Sequence, residues 1–117
     1  MSVLLILNDP PYGTERTYNA LRLAASLLKA DPGTEITLFL LGDAVISAKT
    51  GQKTPEGYYN VERMLRRVLA GGATVLLCGA CMDARGMTEA EAVEGAQRSS
   101  MDALAAATTA ADKVLVF

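Results

Sequence analysis

Apolar residues arrive along this chain in two alternating patterns: short unbroken runs, and longer stretches in which they recur every three or four positions. VLLIL at 3–7 is the first run. It stops at NDPPYG, where paired prolines and a glycine mark a loop, and it reads as a buried strand. Thr14 is positioned to cap a helix from about Glu15 to Ala30, with Tyr18, Leu21, Ala25 and Leu28 at helical spacing and Lys29 near its end. DPG at 31–33 terminates it, and EITLFLL at 35–41 is the second strand, leading to Gly42 and Asp43. AVISAK can form a short helix, but GQKTPEGYY, rich in Gly, Pro and Lys, follows, so 44–59 reads as a long loop. From Asn60, a plausible cap, Val61, Met64, Leu65, Val68 and Leu69 form one face of a helix with Arg63, Arg66 and Arg67 on the other, closed by Gly71 and Gly72. ATVLLC at 73–78 is the third strand. Beyond Gly86, TEAEAVEG reads as a helical turn, and GAQRS at 95–99 is too polar to assign from its pattern. Ser99 or Ser100 caps MDALAAATTAAD, and KVLVF at 113–117 is the final strand.

Strand and helix in alternation, with continuous apolar strands, predict a parallel sheet covered by helices on both faces: an α/β domain of three layers. At 117 residues, with no internal repeat or linker, the chain is expected to form a single domain over 1–117.

Composition changes this picture in two ways. Half the residues are hydrophobic and a fifth are charged, and mean hydropathy is slightly positive, so more apolar surface exists than one small domain covers. A homo-oligomer is expected. Eleven basic against thirteen acidic residues leave no basic footprint for nucleic acid or anionic lipid. No apolar run approaches the roughly 20 residues that span a bilayer. The start, MSVLLILNDPP, lacks the basic flank and long apolar core of a signal peptide, so the expected location is the cytoplasm.

Chemistry concentrates in LLCGACMDARG at 76–86, where two cysteines spaced C-x-x-C follow an apolar run. In parallel α/β sheets ligands bind beyond the carboxyl ends of the strands, which brings Asn8, Tyr12, Asp43, Cys78 and Arg85 to one rim. With no histidine in the chain, one C-x-x-C supplies two ligands where structural zinc needs four, so no metal is expected. The glycines form neither a dinucleotide fingerprint nor a phosphate loop, and no cofactor is expected. Each candidate also has an ordinary reading. Cys78 ends an apolar strand as a packed core residue would. Asp43 suits a helix cap, Tyr12, Tyr58 and Tyr59 suit packing or an interface, and the three arginines suit a solvated helix face.

The segments NDPPYGTERTYNALRLA, LFLLGDAV, GQKTPEGYYNVERML, LCGACMDARG and ADKVLVF, in this order and spacing, resemble the DsrE-like (DsrE/DsrF/DsrH) family, in particular its YchN-like branch. The resemblance runs nearly end to end. It implies a three-layer α/β/α fold around a five-stranded parallel sheet, with GAQRS as the fourth strand, and assembly as trimers or hexamers. It also implies a sulfur carrier or sulfurtransferase. The family's reactive cysteine ends the third strand, eight residues before the glycine of an Arg-Gly pair, which carries over to Cys78 and Gly86. Cys81 is compatible with the YchN-like branch. In sulfur relay a thiolate takes the terminal sulfur of a donor persulfide and passes it to an acceptor thiol, and no histidine shuttle is needed. Arg85 is the candidate cation beside the thiolate, and small residues such as Gly79 let a sulfur chain approach the backbone. Asn8, Tyr12, Asp43 and Gly79 are the candidate substrate-binding residues, and donor and acceptor proteins are the implied partners. Two other readings stand beside this one: a non-catalytic oligomeric scaffold with packed cysteines, and a redox protein in which Cys78 and Cys81 form a reversible disulfide.

Overall fold

Five strands, β1 (Ser2–Leu7), β2 (Glu35–Leu40), β3 (Thr74–Cys78), β4 (Ala96–Ser99) and β5 (Lys113–Val116), form one sheet in the order β4-β3-β2-β1-β5 in the computed structural model, which describes residues 1–117. Every pairing is parallel. The register explains why the central strands are apolar throughout: Leu5, Leu38 and Val75 lie side by side, as do Leu7, Leu40 and Leu77, and all six are 0 % exposed. Burying side chains of this size contributes about 1.5–3 kcal/mol each.

Four helices complete the layers: α1 (Arg16–Ala30), α2 (Val61–Ala70), α3 (Gly79–Ala84) and α4 (Met101–Ala110). α1 and α2 serve successive crossovers that step in one direction across the sheet, and they pack together with Leu21, Ala24, Leu65 and Val68 inward. α4 runs the opposite way, from the β4 edge back to β5, so right-handed connection puts it on the other face. There Ala107, Ala110 and Ala111 border Leu4 and Thr37. This second face is thinly covered: Met101, Val114 and Val116 are exposed, with Val114 and Val116 in register beside Leu4 and Ile6.

Several element boundaries differ from the sequence reading, each for a local reason. Thr14 does not cap α1: its hydroxyl donates to Asp9 Oδ2 at 2.8 Å, and the helix starts at Arg16 with Glu15 in the cap position and no side-chain cap. The expected loop over 44–59 begins instead with a 3-10 helix, Gly42–Ala48, whose Ala44, Val45, Ser47 and Ala48 are buried. CGACMDARG holds a short helix, α3, that periodicity did not reveal. A 3-10 turn at Glu89–Glu91 matches the helical turn read from TEAEAVEG. β4 is the strand that the resemblance, not the pattern, supplied. Asn60 caps α2 by accepting the Arg63 N–H at 3.0 Å, and of the two serines it is Ser100 that caps α4, accepting from Ala103 at 3.2 Å. No helix is long and apolar enough to cross a membrane.

Candidate functional site

The two cysteines are brought together where β3 turns into α3. Cys78 is the last residue of β3 and the N-cap of α3, and its sulfur accepts the Cys81 N–H at 3.2 Å. Cys78 and Cys81 are paired as a disulfide, with Cα atoms 5.2 Å apart, and neither cysteine is free. That separation lies in the range disulfides require. Cys78 is 8 % exposed, whereas Cys81 is only partly covered.

The Arg-Gly pair closes the same helix. Arg85 is the C-cap and Gly86 follows at φ +64°, a left-handed conformation that glycine adopts without penalty. The Met87 N–H bonds to the Met82 carbonyl and the Gly86 N–H to the Asp83 carbonyl, at 3.0 and 3.1 Å. This is the two-bond Schellman ending, completed by the buried side chains of Met82 and Met87. The spacing from Cys78 to Gly86 is therefore that of one strand end plus one short helix and its stop.

Two arginine–aspartate pairs hold α3 from either side. Arg85 sends Nε and Nη2 to Asp43 Oδ1 at 3.0 and 2.8 Å, and Nη1 to the Cys81 carbonyl at 3.0 Å. Asp43 sits in the 3-10 helix after β2, so it is neither a side-chain cap nor an isolated base but the partner of Arg85. On the other side Arg98 of β4 grips Asp83 of α3 with two bonds of 2.8 Å. The Arg98 guanidinium holds the Asp83 carboxyl below the usual carboxylate range, and Asp83 in turn raises Arg98. Gly79 makes room for this clamp: a Cβ there would lie 2.9 Å from Arg98 Cζ and Nε. The structure thus gives Gly79 a role against Arg98.

Of the candidate residues, Cys78, Gly79, Cys81, Arg85 and Asp43 form one cluster. Asn8 borders it through its backbone: a Cβ on Gly42 would lie 3.8 Å from the Asn8 carbonyl oxygen and 3.9 Å from Arg85 Nη2. The Asn8 side chain faces elsewhere, donating to the Phe117 carbonyl at 3.2 Å. Tyr12 is committed to another task. Its hydroxyl donates to Gln52 Oε1 at 2.6 Å and accepts the Val61 N–H at 3.1 Å, tying the loop after the 3-10 helix to the start of α2. It has no hydrogen bond to the cysteine pair, and its ring packs in a cluster with Tyr58 and Tyr59. The Tyr59 hydroxyl is pushed up to about 12 by its bond with Tyr58 and by burial, so it stays protonated at neutral pH. Among the three helix arginines, Arg66 pairs with Glu62 at 2.8 Å.

Arg98 and Asp83 escaped the sequence reading because their meeting depends on the register Leu77↔Arg98 between β3 and a strand with no apolar pattern. Chemically, the cluster offers a dithiol that closes to a disulfide, a backbone N–H directed at the Cys78 sulfur, and two guanidinium groups each matched by a carboxylate.

Comparison with known proteins agrees with this architecture. A model of the DsrE/DsrF-like family matches residues 1–117. Protein YchN of Escherichia coli (strain K12) is 38 % identical over 115 residues, covering 98 % of this chain and 97 % of its own length. MJ0989 of Methanocaldococcus jannaschii is 38 % identical over 117 residues, with 100 % of both chains covered. The crystal structure of the E. coli YchN protein superposes with a TM-score of 0.94 at 38 % identity, over 99 % of this chain and 98 % of that one. With the whole length matched in both sequence and fold, the chain belongs to the DsrE/DsrF-like family.

Proposed function

We propose that this chain is a small cytoplasmic sulfur-relay protein that carries persulfide sulfur on Cys78 within a homo-oligomer, receiving it from a donor protein and passing it to an acceptor protein. The observation that carries the reading is the position of Cys78 at the carboxyl end of β3, at the family spacing to Gly86, with a backbone N–H directed at its sulfur. The carrier is the dithiol form. Its Cys78 thiolate attacks the terminal sulfur of a donor persulfide, the donor leaves as a thiolate, and an acceptor thiolate later removes the outer sulfur. The Cys81 N–H directed at the Cys78 sulfur favours the anion that this exchange needs. To test it, the reduced protein is mixed with a persulfide donor and followed by intact mass and sulfide release. Sulfur uptake or release that depends on Cys78 is the expected result; equal behaviour of wild type and Cys78→Ser, or none in either, refutes the assignment.

A homo-oligomer, trimer or hexamer, is supported by the thinly covered sheet face with exposed Met101, Val114 and Val116. The second reading, a reversible C-x-x-C redox protein, is favoured by the pairing of Cys78 with Cys81. Mild oxidation of the reduced protein should then remove the mass of two hydrogens, and Cys81→Ser should abolish that loss.

A further inference from the structure

A persulfide on Cys78 would find another thiol beside it. Cys81 lies one helical turn on, its Cα 5.2 Å from that of Cys78, close enough for the two sulfurs to bond without moving the backbone. The turn that presents it is held at three points: the Arg85 bond to the Cys81 carbonyl, the Arg98–Asp83 clamp, and the Schellman ending at Gly86. An external acceptor must diffuse to Cys78, which is 8 % exposed, whereas Cys81 is always adjacent. An intramolecular thiol in such a position competes with effective concentrations far above those of free thiols.

We infer that Cys81 is the resolving residue of this site, which converts a persulfide on Cys78 into a Cys78–Cys81 disulfide and hydrosulfide whenever no acceptor removes the outer sulfur first. The inference rests on the relay reading of Cys78. The Cys81 thiolate attacks Cys78 Sγ. The bond from Sγ to the outer sulfur breaks, and its electron pair leaves with the outer sulfur as HS⁻, while the proton that Cys81 released has passed to solvent. The outer sulfur is reduced by two electrons and the cysteine pair is oxidised by two. An external dithiol reductant then returns the pair to its carrier form by thiol–disulfide exchange. The site accordingly has two exits for sulfur: transfer to an acceptor thiol, or discharge as sulfide at the expense of a dithiol.

Glutathione persulfide added in equimolar amount to reduced, desalted protein under anaerobic conditions tests this in a single turnover. Wild type should release one equivalent of sulfide per chain and lose the mass of two hydrogens. Cys81→Ser should instead retain the mass of one sulfur atom and release about tenfold less sulfide. A Cys81→Ser protein that releases sulfide as wild type does, or that carries glutathione in place of sulfur, overturns the inference. So does a wild-type protein that keeps its sulfur without forming the pair. Wild type that keeps its sulfur leaves Cys78-dependent loading intact, and with it the relay, whereas glutathione on Cys78 shows attack on the inner sulfur and counts against the loading step as well. Sulfur uptake by Cys78→Ser equal to that of Cys81→Ser, or no uptake and no sulfide from any form, is the failure of the relay itself, and the inference falls with it.

Discussion

Arg85 and Asp43, 42 residues apart in sequence, meet through two hydrogen bonds to a single carboxylate oxygen, and the same guanidinium reaches the carbonyl of Cys81. The loops after β2 and β3 are thereby joined at the cysteine pair, and the positive charge nearest Cys81 is balanced by a carboxylate.

Replacing Asp43 with Asn removes that balance. Both partners are partly exposed, so the stability cost should be about 1 kcal/mol or less. The unmatched guanidinium should favour thiolate in the reduced protein and speed its alkylation at neutral pH by about two- to fivefold, whereas Arg85→Gln should slow it. Iodoacetamide kinetics at low and high salt measure both effects, and the gain should shrink as salt screens the charge.

Gly79→Ala should show a change of sign with background. In wild type the new Cβ displaces Arg98 and breaks its clamp on Asp83, so the variant should be slightly less stable. In an Arg98→Ala protein that clash is absent, and alanine's higher helix propensity should make the same substitution neutral or stabilising. Denaturant melts of the four proteins of this cycle give the coupling.

Acid should loosen the segment that leads into α2. Burial pushes the Glu62 carboxyl up, but its bonds from Arg66, Gln52 and the Gly51 backbone outweigh burial and hold it below the usual carboxylate range. The folded value is thus depressed. Its stabilising contribution is complete above the unfolded-state value and disappears as pH falls through the folded one. Glu62→Gln should cost about 1–2 kcal/mol at pH 7. Unfolding midpoints across the acid range should converge for the two proteins once Glu62 is protonated.

Val116→Glu is directed at the thinly covered face. Val116 is 67 % exposed beside Val114, so a charge there should leave the fold intact and weaken association. Light scattering at micromolar concentration should read a multiple of 12.3 kDa for wild type and a mass closer to one chain for the variant. A wild-type protein that stays monomeric throughout that range would refute the oligomer.

The central strands were legible because one face of β1, β2 and β3 is fully buried and much of the other is covered, so most of their residues are apolar. β4 is an edge strand with Gln97 and Arg98 exposed, so hydrophobic pattern carries no trace of it and only family resemblance supplied it. α3 has six residues, too few to show a period, although its Gly86 stop flanked by Met82 and Met87 was present to be read. Asn8, Tyr12, Asp43, Cys78 and Arg85 could be grouped in advance because strand ends in a parallel sheet share a rim, and of these Asp43, Cys78 and Arg85 meet while the Tyr12 hydroxyl and the Asn8 side chain are bonded elsewhere. Their pairing could not be read in advance, since which arginine meets which aspartate depends on register. Thr14 shows the converse error: a good capping residue that lies one position before the cap, where its hydroxyl donates to Asp9 and its oxygen accepts only the Arg16 N–H at 3.5 Å.

The strand order has a bearing on how the chain emerges from the ribosome. Each of β2 to β4 is laid down beside the strand made just before it, and only β5 must travel back to close on β1. The cysteine turn and its Asp43–Arg85 and Asp83–Arg98 ties are all encoded by residue 98, before α4 and β5 have been synthesised. During translation, therefore, the thiol pair can be assembled on a nascent sheet whose β1 flank is still bare, and that apolar flank is the surface a chaperone would have to shield until the last strand arrives.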